Sequence, residues 1–133
     1  MFVEPQIVSQ TLDQISLAAA ACGFEIPAYC FMPDHLHLLV EGQSDDSDLV
    51  KFVNLLKQRT SFVYRRHHQH DLWQKGYFEH VLRDDEVSRT VAKYIFENPV
   101  RAGLVKEPLD YLFSGSLVYN SEQLVDLWRE GTP

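Results

Sequence analysis

Two histidines one residue apart, His35 and His37, follow a Pro33-Asp34 corner in the run Tyr29-Cys30-Phe31-Met32-Pro33-Asp34-His35-Leu36-His37-Leu38-Leu39-Val40. On an extended chain successive side chains alternate, so both imidazoles face one way and Leu36, Leu38 and Val40 the other. Their Cα atoms then lie roughly 6.6 Å apart, within reach of a single ion. The pair reads either as part of a divalent-metal site or as polar positions on a half-covered strand. A second pair, Tyr94 and Asn98, is spaced four residues apart and shares one face of a helix. Val87 and Val91 fall on that face too, so Tyr94 is expected to point toward the body of the protein. Taken alone, the two read as a core tyrosine and as a helix terminator ahead of Pro99.

The elements that position these residues follow from local signals. Residues 5–22 predict a helix: Pro5 suits a first turn, Val8, Leu12, Ile15, Ala19 and Cys22 recur at helical spacing, and Gly23 is a stop. Strands are expected over Glu25–Met32 and His35–Glu41, joined at Met32-Pro33-Asp34, with Pro27 tolerated near a strand start or at an edge. After a polar loop at 42–46, with Ser44, Asp45 or Ser47 as the cap, a helix is expected from about Asp48 to His67. Its apolar stripe is Leu49, Phe52, Val53, Leu56, Thr60 and Val63. A loop at 68–76 and a third strand over Tyr77–Arg83 come next. The following helix opens at Asp84-Asp85 and is expected to stop near Asn98, because a residue before proline is disfavoured in the α region. Residues 99–119 read as mostly irregular, with a short turn ending at Gly103. A last helix is expected at 121–130, with Asn120 and Gln123 spaced as a capping box.

The order α-β-β-α-β-α predicts an α+β fold, a ferredoxin-like split βαβ sandwich with an antiparallel sheet. Its first strand is missing or reduced to a stub at residues 1–3, and a C-terminal helix is added. That strand would lie beside the His-x-His strand. The exposed edge is therefore expected to be covered by residues 1–3, by Leu117-Val118-Tyr119, or by a second copy in a homodimer. One domain over 1–133 is expected, with 119–133 as a helical extension.

The 133 residues carry a net charge of −7, unevenly placed. Residues 1–50 contain no Lys or Arg, whereas 51–83 carry Lys51, Lys57, Arg59, Arg65, Arg66, Lys75 and Arg83 against only Asp71 and Glu79. Such a block binds phosphate locally even in an acidic protein, and reads equally as a solvated helix face. No segment has the apolar length of a membrane span, and Met1-Phe2-Val3-Glu4-Pro5 does not begin a signal peptide. Cys22 and Cys30 form neither a Cys-x-x-Cys pair nor a zinc framework. A cytoplasmic protein with reduced thiols and no membrane partner is expected.

His35-Leu36-His37, Trp73-Gln74-Lys75-Gly76-Tyr77-Phe78 and Tyr94-Ile95-Phe96-Glu97-Asn98-Pro99-Val100-Arg101-Ala102-Gly103-Leu104 occur in that order. Together they resemble the single-tyrosine HUH transposases, most closely the REP-associated tyrosine transposases of bacteria, over roughly residues 5–114. The resemblance implies an enzyme that nicks and rejoins single-stranded DNA. His35, His37 and Asn98 would hold a divalent ion (Mg²⁺ or Mn²⁺), and Tyr94 would be the nucleophile. The implied partner is single-stranded or hairpin DNA. Lys57, Arg59, Arg65, Arg66 and Lys75 are the expected phosphate contacts and Trp73 a stacking surface for unpaired bases. His80 reads as a buried histidine or as a further ligand. Two alternatives stay open on the residues alone: an inactive nucleic-acid-binding module of the same fold, or a small metal-dependent hydrolase using the two histidines and Asp34.

Overall fold

Pro5 opens α1 (Pro5–Cys22) and Gly23 closes it, as the sequence predicts. Proline costs nothing in a first turn, where the missing N–H has no partner within the helix. Gly23 adopts φ 77°, a left-handed conformation in which a Cβ is disfavoured, and its N–H returns to the Ala19 carbonyl. The computed structural model describes residues 4–33, 36–43, 47–67 and 85–129. The expected loop at 68–76 and strand at 77–83 lie outside the described residues, as do residues 1–3.

Strands β1 (Phe24–Phe31) and β2 (Leu36–Gly42) pair antiparallel, with Cys30 opposite His37 and Phe31 opposite Leu36. The register shifts between Glu25 and Ala28, so β1 spends one extra residue there. Pro27 sits inside this bulge, where its lack of an N–H interrupts the ladder least. The bulge also reverses which residues face which side. Phe24, Ile26 and Phe31 join one core cluster, whereas Ala28, Cys30 and Met32 join the other.

Those clusters define the layers. Leu36, Leu38 and Val40 of β2 pack with α1 and with α2 (Leu49–His67) through Ile15, Ala18, Phe52 and Leu56. Leu39 packs on the opposite face with Ala92, Ile95 and Phe96 of α3 (Asp85–Arg101) and Leu124 of α4 (Ser121–Arg129). Two helices on one face of an antiparallel sheet match the expected α+β split βαβ arrangement, and α3 and α4 cover the other face. Asp48, rather than one of the loop residues, caps α2, with its Oδ1 accepting from the Lys51 N–H at 3.1 Å. Ser47 instead donates to the Gly23 carbonyl at 2.7 Å, tying the start of α2 to the end of α1. Ser44 and Asp45 lie outside the described residues.

Helix α3 runs through Pro99 to Arg101 instead of stopping near Asn98. The proline ring is buried, and burial offsets the lost backbone bond. The helix ends at Gly103, which has φ 77°. The Gly103 N–H bonds to the Val100 carbonyl and the Leu104 N–H to the Pro99 carbonyl, the two bonds of a Schellman motif.

The segment expected to be irregular supplies a two-residue strand, β3 (Ser114–Gly115), paired with β1 and giving the order β2-β1-β3. Phe31 N–H to the Phe113 carbonyl and Leu117 N–H to the Ile26 carbonyl extend this contact. A Cβ on Gly115 would sit 2.7 Å from the Tyr29 hydroxyl, so glycine is what lets the segment approach. The stretch around Leu117 therefore covers the outer edge of β1, not the edge of β2. Among the described residues β2 is paired on one side only. The capping box predicted for α4 is present, with Asn120 Oδ1 accepting from the Gln123 N–H and Gln123 Oε1 from the Asn120 N–H, both at 2.9 Å. Among the described residues no helix is long and apolar enough to cross a membrane.

Candidate active site

His37 lies on the face of the sheet that α3 covers. It stands directly across from Cys30, whose neighbours include Ala92, Ile95 and Phe96, and directly paired residues project to the same side. The strand alternation predicted from sequence holds here: Leu36 and Leu38 face the α1–α2 layer and His37 faces α3. His37 is buried there, 8% exposed. His35 lies outside the described residues.

Helix α3 turns Ala92, Ile95, Phe96 and Pro99 inward. Tyr94 is roughly 200° around the helix from Ala92 and so lies on the outer side. It is 53% exposed, and its ring does not join the core as the Val87–Val91 pattern led one to expect. Val91 does pack against the α3–α4 core, but at its margin. Asn98 is half-buried, one turn beyond Tyr94.

Arg101 was not singled out from the sequence, yet it touches Tyr94 twice. Its guanidinium carbon sits 3.9 Å from the centroid of the tyrosine ring, and its Nη2 donates to the Tyr94 carbonyl at 2.8 Å. The available signal was spacing: seven residues is two helical turns, which returns Arg101 to the Tyr94 side. Glu97, the nearer carboxylate by helical spacing, accepts from Trp128 Nε1 at 2.8 Å, which fastens α4 to α3.

Lys57 and Arg59 are exposed on α2, across the sheet from His37, and Arg59 donates to Gln14 of α1 at 3.4 Å. The side chains of Arg65, Arg66, Trp73 and Lys75 lie outside the described residues, as does His80. Arg89 of α3 donates to the Asp126 carbonyl of α4 at 2.9 Å.

The floor beneath α3 contains groups that resist ionisation. Burial pushes the Cys30 thiol up to about 12, with Arg101 pulling the other way. Burial, and then the proximity of Cys30, pushes the Tyr111 hydroxyl up to about 12, while that hydroxyl donates to the Phe31 carbonyl at 2.6 Å. Cys30 is thus a neutral packing group, not a nucleophile. Both groups hold their protons more tightly when folded, so their contribution is intact below their ordinary values of 9.0 and 10.0. It is lost as pH rises toward 12. Denaturant midpoints should therefore fall steadily above pH 9, and Tyr111→Phe should flatten the part of the decline above pH 10. An unchanged midpoint across that range would contradict this assignment.

Among the described residues no three His, Cys, Asp or Glu side chains converge as a metal cluster. The donors expected for an ion include an amide, from Asn98, and His35. A buried imidazole on the α3 face, with an amide on α3 itself, is a chemically suitable part of such a set.

The chain is 30% identical to a protein provisionally named a REP-associated tyrosine transposase in Haemophilus influenzae, over 68% of this chain and 58% of the relative. It is 34% identical to the REP-associated tyrosine transposase of Escherichia coli, over 68% of this chain and 53% of the relative. The chain thus spans little more than half the length of these curated relatives. No solved structure is significantly similar to it. The family model described as Transposase IS200 like matches residues 2–98, a span that contains His35, His37, Tyr94 and Asn98, and the chain belongs to that family.

Proposed function

We propose that this chain is a metal-dependent enzyme that nicks and rejoins single-stranded DNA at hairpin repeats through a 5′-phosphotyrosine on Tyr94. The observation that carries the reading is an exposed phenol on α3, a helix packed on the sheet face that the buried His37 takes. A tyrosine that must meet a phosphodiester has to be reachable, and Tyr94 is. In the reaction, Tyr94 Oη forms a bond to phosphorus and the bond from phosphorus to the 3′ oxygen breaks. The phenol proton passes to water or a base, and the departing oxygen takes up a proton to become a free 3′-hydroxyl. The phosphodiester energy is kept in the new ester, so rejoining needs no nucleotide cofactor.

His35, His37 and Asn98 would hold the divalent ion, Mg²⁺ or Mn²⁺. When bound, it supplies positive charge that polarises the phosphate and compensates for a weak nucleophile, a phenol of pKa about 10. The chain's own residues do the rest. Helix α3 carries nucleophile and amide one turn apart, and packing of Ile95, Phe96 and Pro99 fixes that helix on the sheet. Lys57, Arg59, Arg65, Arg66 and Lys75 would hold phosphates, and Trp73 would stack on an unpaired base. With DNA as partner, the reading places the protein in the bacterial cytoplasm, acting alone or as a homodimer.

Mixing the protein with 3′-end-labelled hairpin DNA and Mn²⁺, then resolving the products on a denaturing gel, tests the reading. The expected result is label migrating with the protein, because the fragment 3′ of the nick is the one attached. Cleavage without attached label would instead indicate hydrolysis by water. DNA binding with no cleavage at any metal concentration would indicate an inactive binding module.

A further inference from the structure

We infer that Arg101 is the positioning residue for Tyr94, setting the direction in which its hydroxyl is presented; the inference rests on the reading of Tyr94 as the nucleophile. An exposed tyrosine on a helix has nothing in the core to hold its ring, and Tyr94 is 53% exposed. Arg101 provides what the core does not. Its Nη2 bond to the Tyr94 carbonyl, at 2.8 Å, anchors the guanidinium to the backbone of the residue it serves. The same group sits 3.9 Å from the ring centroid, where a cation is attracted to the π face. One contact fixes the cation and the other fixes the ring to the cation, so the ring loses rotational freedom while its hydroxyl stays outside.

The local sequence keeps Arg101 available for this. Its closest carboxylate by helical spacing, Glu97, is engaged by Trp128 Nε1 at 2.8 Å. The Schellman motif at Gly103 ends the helix immediately after Arg101 and fixes the backbone from which the side chain runs back. A lysine cannot substitute, since an ammonium lacks the planar fork needed to meet a carbonyl and a ring face together.

The test compares wild type, Arg101→Lys, Arg101→Ala and Tyr94→Phe in single-turnover cleavage of hairpin DNA with saturating Mn²⁺. It is run beside NMR of protein labelled in its tyrosine rings, with the Tyr94 signal assigned by its loss in Tyr94→Phe. Arg101 is exposed, so melting temperatures should stay near wild type. Arg101→Ala should slow cleavage by about 10- to 100-fold while the half-saturating DNA concentration changes less than about twofold. Arg101→Lys should recover little, added guanidinium ion should restore part of the Arg101→Ala rate, and the Tyr94 ring signal should shift and average. Three results would overturn the inference: a wild-type rate in Arg101→Ala, a loss confined to DNA affinity, or an unmoved ring signal. Persistent cleavage by Tyr94→Phe would instead remove the nucleophile reading, and the ring signal would still report whether Arg101 holds the ring.

Discussion

Tyr94→Phe is expected to bind hairpin DNA as wild type does and to form no covalent product with it. The substitution removes one oxygen and keeps the ring, so the guanidinium of Arg101 retains its face-on partner. Stability should change little, because Tyr94 is 53% exposed and belongs to neither core cluster of the described residues. On the proposed reading phosphate contacts elsewhere carry the DNA affinity, which should therefore be preserved. Chemistry is different: a side chain with no oxygen cannot form the ester, and no second exposed phenol stands on the same turn of α3. Cleavage and label transfer should fall to background, a loss of several orders of magnitude. The measurement is the denaturing gel with 3′-labelled hairpin DNA, beside a binding titration on the same batch. Nicking that persists in the variant would transfer the nucleophile to water or another residue.

The same side chain shows what the sequence made legible and what it hid. Its helix was readable from the acidic start at Asp84-Asp85 and from apolar periodicity, but its orientation was not. Val87 and Val91 suggested an inward Tyr94, whereas the buried stripe runs through Ala92, Ile95, Phe96 and Pro99. Alanine and proline carry weak hydropathy signals, so half of the inward stripe is faint in the sequence beside the stronger Val87–Val91 pair. Pro99 misled for a related reason. Local rules end a helix before proline, but a buried ring and a glycine cap four residues past Pro99 let this one continue. Signals confined to one turn read correctly, as at Pro5, Gly23 and the Asn120–Gln123 box. β3 could not be foreseen because Ser114 and Gly115 have no strand preference of their own; they are extended because β1 offers an edge and Gly115 fits under Tyr29. The pairing of His37 with α3 lies between these cases. Alternation fixed which face the imidazole takes, and only the fold shows that α3 is what covers that face.

Loss of a metal ligand should look unlike loss of the nucleophile. Excess chelator should abolish cleavage and leave hairpin binding in place, and added Mn²⁺ should restore it. Two imidazoles and an amide oxygen suit a borderline ion such as Mn²⁺ better than Ca²⁺, while Mg²⁺ would bind more weakly and keep several waters. Asn98→Ala removes an oxygen donor from a half-buried position and leaves Tyr94 and Arg101 in place. Calorimetric Mn²⁺ affinity should drop at least about tenfold, and cleavage should recover as metal is raised. His37→Ala is the harsher change, because it removes a side chain only 8% exposed and opens a gap opposite Cys30 beneath α3. His37→Gln keeps more of that volume and isolates the lost imidazole. Both His37 variants should fail to recover fully at any Mn²⁺ concentration, whereas Asn98→Ala should approach wild type. The direct check is Mn²⁺ calorimetry on DNA-free protein, with melting temperatures alongside to separate lost ligation from lost packing. Equal Mn²⁺ affinity in wild type, Asn98→Ala and His37→Gln, with cleavage indifferent to chelator, would remove these residues from the metal role and leave His37 as a buried strand histidine.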